Sequence, residues 1–508
     1  MPPPRFSHRD IMHMLSGTML GMFLGALDQT IIATSLPAMV GELHGMEHMS
    51  WAVSAYLLTS TAATPIYGKL SDLYGRRLLF GSAIALFLLG SVGAGLAQNM
   101  GELIAGRAVQ GIGGGGLISL AMAIVADIVP PRERARYQAY FSGVWTIATL
   151  AGPVLGGFLV DVLDWRWVFW INLPIGAAAL LICNAALKRL PVYGRTKKID
   201  YLGAAILIPA IVSVLLVTTW AGTDMAWNSP TILALIVAAV VLTALFAVQE
   251  HRADDPIVPP RLLRENVVFI GVWLGFFGGA ASVGATIFLP LFLQVVVGAS
   301  ASNSGMLILP MMIGICIGAL GAGRIIRWTG RYKLVALGGL GLAALAFALF
   351  MTVTRDTPTW LYASYMGLLG AGLGPCGPMV GISVQNAVHR RDLGTATSLT
   401  NLFRSMGGSF GVALLGAVLI AGLGSPTASL NRGTLLHGGT VAIAALPEAE
   451  RASIVAGFAH GFIYLYIAAA ALAVAGMVFA LFWKELPLRS AADHAAQLAE
   501  AAALSERR

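Results

Sequence analysis

Three ionisable residues lie inside long apolar stretches of this sequence, where a charge is costly and is by default a candidate for function. Asp28 lies near the middle of the first stretch, Arg107 about five residues inside one end of the fourth, and Arg404 midway along the thirteenth. Asp28 and Arg107 differ in depth by roughly 7 Å, at a helix rise of about 1.5 Å per residue, and an arginine side chain can bridge that gap. A carboxylate whose cation moves with the helices can bind a proton in one state and release it in another. A static buried ion pair is the alternative.

Small and polar residues accompany these charges. Gln110 and Gly111 share the helix face of Arg107 by i, i+3 and i, i+4 spacing, and the glycines at 113–116 permit close approach by another helix. In the fifth apolar stretch a proline lies among small residues, which predicts tight and bendable packing. These residues are Gly152, Pro153, Gly156 and Gly157.

A second group of charges lies between the apolar stretches. The segment 68–77, Gly-Lys-Leu-Ser-Asp-Leu-Tyr-Gly-Arg-Arg, joins the second and third stretches, and Asp127 ends the fourth. Solvated loop charges are the ordinary explanation of such a pattern. The fixed spacing favours a structural latch, for which the candidates are Gly68, Asp72, Gly75, Arg76, Arg77 and Asp127.

The elements that must position these residues are fourteen membrane-spanning helices. Apolar residues make up 57% of the chain and charged residues 11%, and the stretches are apolar all round, so lipid or other buried helices must surround them. We predict an all-α polytopic membrane protein with spans at 14–38, 50–68, 78–97, 102–128, 137–160, 166–187, 201–220, 230–249, 267–297, 302–326, 333–353, 359–387, 394–421 and 456–482.

Positive charge predicts the orientation of these spans. Nearly all Lys and Arg residues fall on one side, and the other side has only Arg166, Arg355, Arg432 and Arg451. Lys and Arg mark the cytoplasmic face, so both termini are predicted to be cytoplasmic. The net charge of +8 follows from this asymmetry and does not call for a nucleic-acid partner.

Other chemistries find little support. The cysteines Cys183, Cys316 and Cys376 fall inside predicted spans, and His44 with His48 is a weak metal site, so we expect no metal and no cofactor. The glycine run at 113–116 is not followed by Gly-Lys-Ser/Thr, which argues against an ATP site. A membrane enzyme would show a catalytic constellation, and a sensor would usually carry a soluble output domain. Neither is found, and we predict no enzymatic activity.

The chain contains an internal repeat. An offset of 255 positions relates Gly68 to Gly323, Gly75 to Gly330, Gly152 to Gly407 and Gly156 to Gly411. Chance matches between common glycines are the alternative. Two related halves with a site between them are a common plan in transporters. We predict a six-helix bundle at 1–187, linkers with two inserted helices at 188–266, a second bundle at 267–483 and a cytoplasmic tail at 484–508. An outer loop at 422–455 is predicted to contain a short hairpin at 434–443.

Five ordered motifs make the chain resemble the major facilitator superfamily, and within it the fourteen-span drug:proton antiporters of the QacA/EmrB type. Segment 68–77 resembles the superfamily signature between spans two and three. The others are the first-span motif at 27–37, the proton-transfer motif at 107–113, the antiporter motif at 152–157 and the segment 165–174. The usual leading glycine of the antiporter motif is Ala148 here.

The resemblance implies alternating access, in which two six-helix bundles rock around a central cavity. It also implies that protons entering a bacterial cell drive solute out across the inner membrane. Asp28 would carry the proton, Arg107 would modulate it, and the Asp72–Arg76–Asp127 cluster would close the outward-open state. The proton is then the coupling ion, and we expect the protein to act as a monomer.

The expected substrate follows from a departure from that family. Some exporters of cationic drugs carry acidic residues around spans ten and thirteen, whereas span thirteen here has Asn401 and Arg404. A bulky amphipathic solute, neutral or singly charged, is therefore expected. An exporter of one dedicated metabolite or lipid is the alternative. The predicted cavity residues are Tyr56, Gln110, Trp145, Phe276, Phe277, Gln294, Asn401 and Arg404.

Overall fold

The structure is a computed structural model that describes residues 8–43, 49–129, 131–189, 200–221, 225–254, 256–298, 301–354, 357–389, 392–423 and 448–487. Within these ranges the α-helices are α1 (His8–Leu43), α2 (Met49–Tyr74), α3 (Arg76–Gly95), α4 (Met100–Ile128), α5 (Pro131–Val162), α6 (Trp167–Trp170), α7 (Asn172–Ala186), α8 (Tyr201–Trp220), α9 (Pro230–Arg252), α10 (Pro260–Arg264), α11 (Asn266–Phe292), α12 (Ala301–Thr329), α13 (Tyr332–Phe350), α14 (Thr359–Leu373), α15 (Cys376–Ala387), α16 (Leu393–Gly422) and α17 (Glu448–Leu481). A π-helical turn, Leu293–Val297, extends α11.

The predicted all-α membrane fold is confirmed. Every predicted span coincides with a helix or a pair of consecutive helices, and 13 of these are long and apolar enough to cross a membrane. The sixth span is the pair α6 and α7, and the twelfth is the pair α14 and α15. The break in the twelfth falls at Gly374 and Pro375, where proline lacks the N–H that a continuous helix requires.

The second predicted span, α2, is more polar than the others. Several of its hydroxyl side chains bond the preceding turn of the same helix, as when Thr59 Oγ1 donates to the Ala55 carbonyl at 2.8 Å. Thr64 Oγ1 also reaches the Gly115 carbonyl of α4 at 3.3 Å. Helices α4, α8 and α16 pack against α2. Its polar residues are tolerated because protein covers much of the helix.

Helices α2 and α16 form the main seam between the two halves of the chain. Within the first half α1 packs on α4, α5 and α7, and within the second α11 packs on α15, α16 and α17. Between the halves, α2 packs on α16, α5 packs on α12 and α15, and α4 also packs on α16. The inserted helices α8 and α9 pair with each other, and α8 touches both α2 and α16. The inserted pair therefore covers one edge of the seam.

Two turns show the internal repeat in the backbone. Gly75 lies between α2 and α3 with φ 89°, and Gly330 lies between α12 and α13 with φ 72°. This left-handed region suits glycine, which has no Cβ. The N–H of Gly75 donates to the Ser71 carbonyl at 3.1 Å, and that of Gly330 donates to the Ile326 carbonyl at 2.8 Å. Both turns have a glycine with positive φ and the same hydrogen bond to the carbonyl four residues earlier, at the predicted offset.

The buried apolar residues show which end of the seam is closed. One core joins Leu58, Ala62 and Ala126 of the first half to α8 and to Leu399 and Leu402 of α16. Toward the other end the halves have separate cores, one around α1 and α6 and one around α11 and α17. The halves are thus packed together at the predicted cytoplasmic end.

Some predictions fall outside the described residues. These are the hairpin at 434–443, the histidines at 44 and 48, and the tail beyond residue 487. The domain boundaries stay a prediction.

Candidate functional site

Asp28 and Arg107 form an ion pair between α1 and α4. Arg107 Nη1 lies 2.5 Å from Asp28 Oδ2. The Asp28 side chain is 0% exposed and the Arg107 side chain is 1% exposed. Arg107 Nε also donates to the Ala52 carbonyl at 3.1 Å, and its guanidinium lies over the Tyr56 ring, 4.4 Å from the centroid. The structure therefore brings together the two residues expected to couple protons, and excludes solvent from them.

Three further polar side chains complete the shell around Asp28. Gln110 Nε2 donates to Asp28 Oδ1 at 2.8 Å and to Ser91 Oγ at 2.7 Å. Asn172 Nδ2 donates to the same two oxygens, each at 3.2 Å. Gln110 Oε1 accepts from Arg107 at 2.6 Å. Arg107, Gln110 and Asn172 each donate a hydrogen bond to Asp28.

Sequence reasoning missed Ser91 and gave Asn172 no role. A polar side chain inside an apolar span is the signal that could have found Asn172, because such groups are costly unless they have a partner. Ser91 gives a weaker signal, since a serine hydroxyl can bond its own helix.

Close helix packing positions Gln110 and the neighbourhood of Asp28. A Cβ at Gly90 of α3 would lie 2.2 Å from the backbone nitrogen of Gln110, so only glycine fits there. A Cβ at Gly152 of α5 would lie 2.0 Å from Thr30 Oγ1, which itself donates to the Ala148 carbonyl at 3.2 Å. The segment 152–157 thus packs closely against α1 at Thr30, two residues from Asp28. Gly157 has no such contact, so tight packing does not explain it.

The segment 165–174 holds the C-terminal end of α1. Trp165 Nε1 donates to Glu42 Oε2 at 2.8 Å, and Arg166 Nη1 lies 2.7 Å from Glu42 Oε1. These two hydrogen bonds lower the pKa of the Glu42 carboxyl, and the one from Arg166 contributes more than the one from Trp165. The same segment then leads into α7 at Asn172. It therefore fixes α1 at its end and near Asp28.

The structure also brings the latch charges together. Arg76 lies between two carboxylates, with Nη2 2.7 Å from Asp72 Oδ1 and Nε 2.8 Å from Asp127 Oδ2. Asp72 also accepts hydrogen bonds from the backbone of α16, from Gly394 N at 3.1 Å and Thr395 N at 2.9 Å. We call Asp72, Arg76 and Asp127 the latch. It links the halves because Asp72 caps the first turn of α16.

The other predicted members have different partners. Gly68 packs against α16, where a Cβ would lie 2.3 Å from Ser398 Oγ. Gly75 makes the turn described above. Arg77 does not join the latch, because its guanidinium turns to Asn184 Oδ1 of α7, at 2.8 and 2.6 Å. Arg77 therefore ties the first half to itself and makes no link between halves.

The predicted cavity residues of the first half and Gln294 lie in different surroundings. Tyr56 is 1% exposed and Gln110 0%, because both belong to the charge network. Trp145 packs partly buried against other residues of the first half. Gln294 lies in the π-helical turn, 17 residues beyond Phe277, a distance of roughly 25 Å along the helix. Chain spacing could not show these separations.

The remaining predicted cavity residues do lie together on α11 and α16. The ring centroids of Phe276 and Phe277 are 5.7 Å apart, and Phe276 lies 5.5 Å from Phe410 of α16. On α16, Asn401 is partly buried and Arg404 is exposed. The second half therefore presents aromatic rings with a cation and an amide.

The comparisons with known proteins agree with this geometry. The profile of the Major Facilitator Superfamily matches residues 18–412. An uncharacterised MFS-type transporter of Mycobacterium tuberculosis is 38% identical over 492 residues, covering 94% of this chain and 70% of the relative. The multidrug transporter protein MdtP of Bacillus subtilis is 38% identical over 412 residues, covering 81% of this chain and 76% of the relative.

Solved structures show the same fold. The proton:xylose symporter XylE has a TM-score of 0.62 at 16% identity, with 97% of this chain and 99% of that chain covered. The human organic anion transporter MFSD10 has a TM-score of 0.60 at 16% identity, with 92% and 99% covered. At this identity the likeness concerns the fold alone. The sequence matches cover most of this chain and show that it is a multi-pass transporter of small substrates, not an enzyme. The chain belongs to the Major Facilitator Superfamily.

Proposed function

We propose that this protein is a proton-coupled antiporter that exports amphipathic, drug-like compounds across the bacterial inner membrane. The observation that carries the proposal is Asp28, a carboxylate with no solvent exposure held by Arg107, Gln110 and Asn172. Relatives named as multidrug transporters support the direction of transport. We further propose that the protein acts as a monomer. Both termini would lie in the cytoplasm, the orientation that the distribution of Lys and Arg favours.

The proton would bind at Asp28 and change its partners. A neutral carboxyl group no longer attracts Arg107 as an ion pair, and its O–H becomes a donor that needs an acceptor. The interaction between α1 and α4 therefore depends on protonation. Because α5 packs against α1 at Gly152, a shift of α1 would also displace α5. Coupling follows if only one orientation of the bundles exposes Asp28 to the outside.

The energy of one proton is sufficient for export. A membrane potential of about 100 mV together with a gradient of about one pH unit supplies about 3.7 kcal/mol per proton. For a neutral solute, that corresponds to a concentration ratio of roughly 500. No nucleotide is then required.

Alternating access would use the seam between the halves. In this conformation they share a core at the predicted cytoplasmic end, where Asp72 caps α16, and have separate cores at the other end. This arrangement supports an outward-facing state. Export would require the latch to break so that solute can enter from the cytoplasm.

Transport by the purified protein in liposomes tests the proposal. An imposed pH gradient should drive a fluorescent amphipathic probe against its concentration gradient, and a protonophore should abolish that uptake. Uptake that ignores the pH gradient would overturn proton coupling.

The alternative is an exporter of one dedicated metabolite or lipid. One relative, 32% identical over 407 residues, is named a rubrofusarin-specific efflux pump of Gibberella zeae. A panel of chemically unrelated probes in the same liposomes separates the two functions. Transport of several classes supports multidrug efflux, and transport of one class alone supports the alternative.

A further inference from the structure

Arg404 is a cation near the middle of α16. It lies 11 residues after Leu393, about 17 Å along the helix, so the apolar thickness of a bilayer of roughly 30 Å would enclose it. A charge facing lipid at that depth is strongly disfavoured. Helices of both halves, including α2, α4, α11 and α17, surround α16. The exposed side chain of Arg404 therefore faces the space between the halves.

Arg404 has no anionic partner among the described residues. It forms no ion pair and no side-chain hydrogen bond with them. Asp28 cannot serve as its partner, because Arg107 occupies that carboxylate. Arg107 and Asp28 neutralise each other, which leaves Arg404 as an uncompensated positive charge.

A second donor lies on the same face of the helix. Asn401 precedes Arg404 by three residues, so the two side chains are neighbours on α16. The Asn401 amide nitrogen is buried and has no hydrogen-bond partner among the described residues. An unsatisfied buried donor is costly, and it is satisfied when an acceptor arrives.

The position of this pair is fixed by close packing. A Cβ at Gly279 of α11 would lie 2.2 Å from the Arg404 carbonyl oxygen, so the two helices touch at backbone distance. Next to this contact Phe410, which is 39% exposed, lies 5.5 Å from Phe276. An apolar wall therefore accompanies two polar donors.

We propose that Arg404 and Asn401 bind an anionic acceptor group, and that the preferred substrate is an amphipathic aromatic carboxylate. A carboxylate supplies the acceptors that both donors lack, and the guanidinium can bind it through two parallel hydrogen bonds. The aromatic part of the same molecule would pack on the phenylalanine rings. This inference rests on the proposed efflux function and adds the charge class of the substrate.

Equilibrium binding to the purified full-length protein tests the inference. Three fluorescent probes share one apolar body: pyrenebutyrate, its methyl ester and a pyrenyl trimethylammonium of matched length. The parent protein should bind the carboxylate about ten- to a hundredfold more tightly than the ester, as expected for hydrogen bonds to a charged group. R404Q should abolish that preference, and R404K should keep part of it.

Charge reversal and a matched control sharpen the test. R404E should turn the preference toward the trimethylammonium probe. R324Q removes an exposed arginine of α12 that lies over Trp328, 5.0 Å from the ring centroid, and should leave all three affinities unchanged. Thermal unfolding of each variant in detergent checks the fold, and N401A should weaken carboxylate binding without removing any charge.

Two outcomes would overturn the inference. One is a parent protein that binds the ester or the cation as tightly as the carboxylate. The other is an R404Q protein that is folded and weakens all three probes equally. Binding is measured without any gradient, so its result is separate from the transport assay. If the parent protein binds the carboxylate preferentially but does not concentrate it in the transport assay, the antiport function would be contradicted and the binding site would still be supported.

Discussion

Asp72 of α2 binds the first turn of α16: its carboxylate accepts the backbone N–H of Thr395 at 2.9 Å, across 323 positions of sequence. The Thr395 hydroxyl donates to the same oxygen at 3.2 Å. A carboxylate at a helix N-terminus satisfies free N–H groups and interacts favourably with the helix dipole. This contact is possible only while the two halves are close at that end.

Asp72→Asn should therefore loosen the closed end. Loss of the ion pair with Arg76 and of the charged cap is expected to cost at least about 1.4 kcal/mol, which shifts a two-state population tenfold. Spin labels at Leu78 and His389, exposed residues of different halves, should report a larger population of long distances. Turnover should slow while substrate affinity changes little.

Asp392→Asn is the matched control for that variant. Asp392 also precedes α16, and it pairs with Arg261 at 2.9 Å. The control should keep the distance distribution of the parent. If Asp72→Asn keeps it too, the latch charges do not bias the equilibrium.

Asp28→Asn should abolish pH-driven uphill transport. The amide cannot take up and release a proton, while its oxygen can still accept from Arg107, so the fold should survive. Exchange of substrate down its own gradient should persist. Asp164→Asn, which changes a partly exposed carboxylate just after the C-terminal end of α5, should behave as the parent. A mutant that still concentrates substrate with an unchanged pH dependence would contradict the role of Asp28.

Arg107→Ala should move the pH dependence of transport to higher pH. Asp28 binds a proton more easily once the cation is gone. Arg107→Lys should restore the profile only in part, because lysine lacks the planar fork that reaches Asp28, Gln110 and the Ala52 carbonyl together. Rates measured from pH 5 to pH 9 give the midpoints. Superimposable profiles would assign Arg107 to packing or substrate contact.

Asn172→Ala should move the same midpoint upward by a smaller amount. It removes one neutral donor to the Asp28 carboxylate and leaves the ion pair with Arg107 in place. Asn184→Ala is the control on the same helix, since Asn184 bonds the exposed Arg77. An unchanged midpoint in Asn172→Ala would reduce Asn172 to a helix-packing residue.

The topology is tested by labelling in intact cells. The native cysteines Cys183, Cys316 and Cys376 are first replaced by serine. A membrane-impermeant maleimide should then label Arg432→Cys and leave Arg195→Cys unlabelled, because positive charge places 195 inside. Labelling at position 195 in intact cells would contradict the predicted orientation.

The sequence alone determined the helices and their internal relation. Apolar runs long enough to cross a bilayer predicted every span, because lipid requires backbone hydrogen bonds to be made within a helix. The 255-residue offset placed Gly75 and Gly330 in equivalent turns, and both have positive φ. The sequence also identified Asp28 and Arg107, since few charges occur inside spans.

Only the tertiary structure decided the partners of these residues. Asn172 and Ser91 join Asp28 because α7 and α3 pack beside the α1–α4 pair, and helical spacing specifies the face of one helix but not the helix that meets it. Tyr56 lies in the charge network, under the Arg107 guanidinium, for the same reason. The cap of α16 was not predictable either, because its donors are backbone N–H groups, which every residue except proline carries and no sequence pattern marks.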